Sequence, residues 1–214
     1  MALHSGPGRG AFHANRLSQG SAVVVAVNPS LDTTINTATL TYSNGGKTVK
    51  NTGGTTNRSA LSLATKSTGK WYWEININAT GGGASAVGVA GVGFNTAANP
   101  IGANTTNVID NAAAVIWYNN SNTTGLTITT GDRMAIAFDV GTLTFWIGKV
   151  SAGVITWQGT SNPGTPTGGR VCAGITTPVQ AMLLLNNLND QFTLCLARAD
   201  QNAATLPNGF SSFA

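Results

Sequence analysis

The sequence predicts an all-β protein organised around an antiparallel sheet, and two stretches carry that prediction. In Gly131–Gly148 (GDRMAIAFDVGTLTFWIG), Met134, Ile136, Phe138 and Val140 alternate with Arg133, Ala135, Ala137 and Asp139. A period of two sets one face of a strand in a core. Asp139-Val140-Gly141-Thr142 supplies turn chemistry, and Leu143, Phe145 and Ile147 resume the alternation against Thr142, Thr144 and Trp146, which makes a central β-hairpin. The three- and four-residue apolar spacing and the capping signals of a helix are absent from it. In the second stretch, Thr65–Asn78, Trp71, Trp73, Ile75 and Ile77 point one way while Tyr72, Glu74 and Asn76 point the other.

Composition narrows the class. The 214 residues suit one large all-β domain. Only 8% of residues are charged, against roughly 25% in an average soluble protein, while 42% are hydrophobic. Asn, Thr, Ser and Gly therefore replace the usual surface charges. That surface suits packing against neighbours or sugar-like partners, and such compositions occur in extracellular and virion β-proteins. The net charge of +4 rests on 11 basic residues against 7 acidic ones. The basic residues are scattered, unlike the patches of a nucleic-acid binder. No segment approaches the ~20 apolar residues of a membrane helix, and no cleavage pattern marks a secretory leader, so folding in a cytoplasm without secretion is expected. Two cysteines, Cys172 and Cys195, are too few for a disulfide framework and sit in apolar runs as small core residues; a single bridge requires their strands to be neighbours.

In chain order, residues 1–21 stand apart from everything after them. They contain both histidines (His4 and His13) and lack periodicity. Against a plain disordered terminus, the expectation is an extended arm that orders on a partner, with Phe12 and Leu17 as apolar knobs and Arg9 and Arg16 as charge contacts. Residues 22–214 form the sandwich domain. Val23–Val27 reads as a short buried strand ended by Asn28-Pro29-Ser30. Ile35–Val49 gives weak strands around a Ser43-Asn44-Gly45-Gly46 turn. After the Thr65–Asn78 strand come a flexible Gly81–Gly83 loop, a glycine-rich strand at Val87–Phe94 and a long polar loop over Asn95–Asn111. Ala113–Tyr118 is a strand and Asn119–Thr124 a turn into the central hairpin. Val154–Trp157 is a short strand, Thr160–Arg170 a Pro/Gly loop, and Val179–Leu185 an apolar strand. Asn186–Asp190 makes a turn, and Phe192, Leu194 and Leu196 belong to the last strand. Leu206-Pro207-Asn208-Gly209-Phe210 closes the chain.

Several of these segments resemble one family. The Thr130-Gly131-Asp132 entry, the strand ending in Asp139, the short turn and the apolar strand after it resemble the middle of a SPRY (B30.2-like) domain. That family usually ends the second strand with an Asn-Gly turn, and Ile147-Gly148 stands in its place. Ser67–Glu74 resembles the family's Ser-Gly-Lys-aromatic-Tyr/Trp-Glu strand, and Val87–Ala90 its Val-Gly-Val/Ile-Ala strand. The opening from Asn28 (NPSLDTTINTATLTYSNGG) and the Pro-x-Gly-Phe close resemble bacteriophage-type SPRY domains, with Val27 where those often carry tryptophan. The matches run from about Val27 to Phe210. The resemblance implies a bent β-sandwich, a jelly roll of the concanavalin A-like kind, acting as a binding module whose loops carry specificity.

Catalysis finds no support in the residues. With both histidines in the arm, a serine or cysteine nucleophile in the sandwich lacks an imidazole partner. The seven acids (Asp32, Glu74, Asp110, Asp132, Asp139, Asp190 and Asp200) are dispersed. A glycosidase needs a close carboxylate pair, and only a pairing in space, such as Asp132 with Asp139, would supply one; both have simpler turn roles. Gly88, Gly91 and Gly93 lie in a strand and not in a phosphate-cradling strand-to-helix turn. No catalytic residue, metal ligand or cofactor is assigned. The candidate ligand contacts are Tyr118, Asn119 and Asn120 at one corner, with Trp157 and Arg170 flanking the Thr160–Arg170 loop. The sequence reading is a non-enzymatic phage virion structural protein, such as a capsid decoration, head-fibre or tail-fibre component, assembled in the host cytoplasm. Its arm attaches it to other virion proteins, and a homo-oligomer is expected. A host-surface glycan adhesin is the alternative, and a cytoplasmic peptide-binding adaptor a third class disfavoured by the scarcity of charge.

Overall fold

The structure, a computed structural model, describes residues 31–214 apart from 82–84, 93, 95–107, 112–113, 119–125 and 173. In chain order the strands are β1 (Leu40–Ser43), β2 (Thr48–Asn51), β3 (Arg58–Leu61), β4 (Lys70–Ala79), β5 (Ala86–Gly91), β6 (Val108–Asn111) and β7 (Ala114–Tyr118). They continue with β8 (Arg133–Asp139), β9 (Thr144–Ser151), β10 (Val154–Trp157), β11 (Arg170–Val171), β12 (Val179–Leu185), β13 (Gln191–Cys195) and β14 (Ser211–Ser212). Among the described residues the only helical elements are two short 3-10 turns. None of the described helices is long and apolar enough to cross a membrane.

Two sheets pack face to face. The larger runs β1-β2-β13-β4-β8-β9-β10, and the smaller β3-β12-β5-β7-β6. Two short strands extend the larger one. β14 pairs parallel with β4 at Trp71 and Tyr72, on the line that β13 leaves after Glu74. β11 pairs with β9 at Thr144 and Phe145, on the line of β10. The central core lies between the sheets, with Trp73, Ile75, Ile77, Met134, Ile136, Phe138, Phe145, Ile147 and Phe192 from one side and Val87, Val89, Val179, Ala181, Leu183 and Leu185 from the other. Phe213 seals it, edge-on to Trp73 with ring centres 5.0 Å apart. The two-residue alternation of β4, β8 and β9 thus fixes the inner face as the sequence predicts.

The outer face of the larger sheet is covered over β8, β9 and the start of β4. Tyr72, Ala135, Ala137, Trp146 and Val150 are buried there under Ala203 and Phe210, with Ile155, Trp157 and Leu206 packed alongside. The alanines at 135 and 137 are therefore spacers beneath a second layer. The outer face of the smaller sheet is covered in part by Phe94 and Ile35 over Leu61, Ala86, Ala90, Met182 and Leu184.

Several expectations need correction. The second strand of the central hairpin does not end at Ile147-Gly148: β9 continues to Ser151, and the turn comes at Ala152 (φ 48°) and Gly153 (φ 81°). Two successive positive φ values give the twist that a tight hairpin needs. Gly148 is instead a mid-strand glycine, where a Cβ would lie 2.7 Å from Thr156 O and 3.1 Å from Trp157 Cε3. The end of the Asn95–Asn111 loop is the strand β6, paired with β7. β3 and β11, whose sequences show no apolar alternation, exist because neighbouring strands offer them a ladder. The strand through Phe192 is followed by one more, β14. Cys172 and Cys195 are both buried, and no disulfide joins them. Residues 1–30, with the arm and the Val23–Val27 strand, lie outside the described residues, as do the Asn119–Thr124 turn and most of the Gly81–Gly83 loop.

Candidate functional site

The proposed arm contacts Arg9, Phe12, Arg16 and Leu17 lie outside the described residues, as do Asn119 and Asn120. Tyr118 ends β7 in the smaller sheet, opposite Ala86. Trp157 ends β10 opposite Gly148, and Arg170 begins β11 opposite Phe145, so both flank the same side of β9 in the larger sheet. Their partners stand three positions apart along β9, about 10 Å at ~3.3 Å per residue. The loop between them folds back over the sheet, where Trp146 Nε1 donates to Thr167 O at 3.0 Å.

Beside Trp157 that loop closes one end of a slot of about 510 Å³. One wall is Gly153, Val154, Ile155 and Trp157; the other is Ala204 to Asn208, and Asn162, Gly164 and Thr165 complete the lining. Ala204 N donates to Gly153 O at 2.7 Å and shuts one end. At the other end a Cβ on Gly164 would stand 3.4 Å from Asn208 N. None of these lining residues carries a charge. Trp157 is half-buried, with its ring edge-on to Tyr72 at 6.5 Å, while Asn208, Thr205 and Val154 are exposed. The sequence reading singled out Trp157 and the Leu206–Phe210 close separately. Their adjacency depends on how the C-terminal segment lies across the outer face, which local patterning does not encode.

Glu74 fixes that path. Fully buried, it accepts hydrogen bonds from the hydroxyl of Tyr72 (2.8 Å), Ala203 N (2.9 Å), Asn202 N (2.7 Å) and the guanidinium of Arg133 (2.6 Å). Arg133 also donates to Asp200 O, and Arg198 to the carbonyls of Ala203 and Ala204. A buried carboxylate demands this degree of satisfaction. Burial, and then the Glu74 charge, push the Tyr72 hydroxyl well above its ordinary pKa. Burial raises the neighbouring Cys195 thiol to about 11, which keeps it a protonated, poor nucleophile. Glu74 stands alone on its strand, as its sequence suggests, and serves as an anchor for the chain crossing over it.

The other acids with described side chains are similarly engaged. Asp190 is a buried hub that accepts from Gly81 N, Ser85 Oγ, Asn186 N and Asn187 N. Asp139 accepts from Gly141 N in the hairpin turn and pairs with Lys70 at 3.5 Å. Asp132 accepts from Thr129 N and Oγ1 and from Lys149 Nζ at 2.7 Å. Asp132 and Asp139 sit at opposite ends of β8, about 23 Å apart along a strand rising ~3.3 Å per residue, so they form no carboxylate pair. Asp200 is held by Lys47 at 2.8 Å, and Asp32 accepts from Thr34. No three His, Cys, Asp or Glu side chains among the described residues come together as a metal site.

Comparison with known proteins places the fold. The chain resembles the SPRY domain of human HERC1 (14% identity, 73% of this chain and 91% of that one, TM-score 0.48). It also resembles the TRIM65 PSpry domain (12% identity, 78% and 92%, TM-score 0.51). The stonustoxin structure shares 15% identity over 78% of this chain, with a TM-score of 0.51, and the match spans 27% of that longer chain. No family model and no curated protein matches the sequence. The sandwich is SPRY-like in fold.

Proposed function

We propose that this protein is a non-enzymatic phage virion component, a capsid decoration, head fibre or tail fibre, that displays its SPRY-like sandwich and attaches to other virion proteins through residues 1–21. The observation that carries the non-enzymatic part is how the sandwich uses its acids. Glu74, Asp132, Asp139, Asp190 and Asp200 each hold backbone amides or a neighbouring cation, which leaves a scaffold suited to contact. The virion part is supported by the charge-poor composition and by the resemblance of the opening and closing segments to bacteriophage-type SPRY domains. Most basic groups of the sandwich are also spent internally. Lys47, Lys70, Arg133 and Lys149 are ion-paired, and Lys66 lies 3.8 Å above the Trp71 ring, which supports a partner other than nucleic acid. Deleting residues 1–21 tests this reading. The shortened chain is expected to keep its unfolding midpoint and to be missing from purified particles. Normal incorporation refutes the attachment role, and light scattering of both chains reads the expected homo-oligomer.

One observation favours the second reading, a host-surface glycan adhesin. The slot beside Trp157 combines an aromatic ring with amide and hydroxyl side chains and is free of charge. Binding on a glycan array supports it, and silence across the array counts against it.

A further inference from the structure

The slot between β10 and residues 204–208 has a donor and acceptor pattern that goes beyond its side chains. Gln158 N donates to Ile147 O across β9 at 2.9 Å. Successive residues of an antiparallel strand present their main-chain groups to opposite sides, so Thr156 and Gln158 face β9 while Gly153, Ile155 and Trp157 face away from it. Ala204 N bonding to Gly153 O at 2.7 Å shows that direction directly. Ile155 and Trp157 thus turn an N–H and a C=O each into the slot. Val154, at 65% exposure, and the half-buried Trp157 supply apolar surface beside them. Asn162, Thr165, Thr205 and Asn208 ring the mouth with groups able to donate and accept. The volume of about 510 Å³ falls within the ~300–1,000 Å³ of small-ligand sites.

We propose that this slot is the binding site for a short neutral oligosaccharide, an assignment that rests on the adhesin reading. A sugar ring offers a C–H face to the indole and hydroxyls to the amides and to the outward main chain. An acidic sugar loses hydration in a lining without a cation to replace it, so the slot discriminates against sialylated or sulfated chains. The sheet edge invites an extended peptide as well. The close approaches of Ala204 to Gly153 and of Asn208 to Gly164 bound the slot along β10 and favour a short ligand over a long strand.

The test uses the full chain labelled with ¹⁵N and titrated with maltotriose, cellotriose, chitotriose and 3′-sialyllactose, alongside a wider glycan array. A neutral trisaccharide is expected to shift the amides of Ile155, Trp157 and Asn208, with sialyllactose at least about tenfold weaker. Asn208→Ala should weaken binding about fivefold, in line with loss of one neutral hydrogen bond, and Thr205→Trp should abolish it by filling the slot. Both positions are exposed, and matching unfolding midpoints check that the variants fold. Sugar binding that shifts Tyr118–Asn120 and leaves Ile155 and Trp157 unmoved overturns this site while the adhesin reading stands. Binding indifferent to both variants overturns it as well. If an extended peptide shifts the slot amides and sugars do not, the slot belongs to a protein partner. No binding to any probe or array member removes both the site and the adhesin reading.

Discussion

Trp73 and Glu74 are adjacent on β4 and point into opposite layers, so substituting each probes a different one. Trp73 is fully buried between the sheets, and Trp73→Ala is expected to cost ~3–5 kcal/mol in denaturant unfolding. Its indole N–H has no partner, so Trp73→Phe should cost less than Trp73→Ala, since an aromatic ring is kept, the cavity is smaller and no hydrogen bond is lost. Glu74→Gln leaves Arg133 facing a neutral amide and replaces one acceptor oxygen with a donor that meets Asn202 N or Ala203 N. A loss of about 3 kcal/mol is expected, at the lower end for breaking a buried pair. Asp132 makes a pH-dependent contribution. Burial pushes its carboxyl up, but Lys149, Thr129 and the Thr129 amide together outweigh that, and its pKa falls below the ordinary value. A depressed folded pKa contributes stability that is fully present above about pH 4, the unfolded value, and is lost as pH falls through the folded one. The stability gap between the native chain and Asp132→Asn should therefore be constant near neutrality and shrink in acid, as chemical unfolding at a series of pH values would show.

At the scale of elements, the β9-β10 hairpin shows what the sequence discloses and what it conceals. The alternation of Phe145 and Ile147 identifies β9 and its buried face, but the strand's end is hidden because Ala152 supplies the first positive φ of the turn and alanine gives no turn signal. Gly148, at the place where the family carries its turn, is a packing glycine. Gly148→Ala forces β10 and Trp157 outward, with an expected cost of ~1–3 kcal/mol for overpacking and a change in tryptophan emission. Likewise β3 (RSAL) shows no period, since it borrows its order from Leu183 and Leu185 alongside. Of the candidate site, the aromatic at 157 and the Pro-x-Gly-Phe close were legible as separate features. Their meeting was not, because it is set by Glu74 through residues 128 and 129 positions away in sequence.

For the molecule as a whole, the C-terminal segment belongs to the core. Phe210 lies edge-on to Trp146 at 6.1 Å, Phe213 N donates to Tyr72 O, and Gln201 Nε2 reaches the Leu196 carbonyl. Truncation after Asn208 removes both aromatic plugs and β14. The expected product retains strand content by circular dichroism, binds a hydrophobic dye, and unfolds without a sharp transition.

The pairing of β4 also carries a timing consequence. One flank of this central strand is completed only by β13 and β14, made more than a hundred residues later. While the chain emerges from the ribosome, the ladder partner β8 is made well before β13, and the opposite edge stays bare until β13 follows. A stalled or prematurely released chain that lacks β13 presents that bare edge, with its tryptophans, to its neighbours, so translation arrest before residue 191 yields aggregates in place of a smaller soluble sandwich.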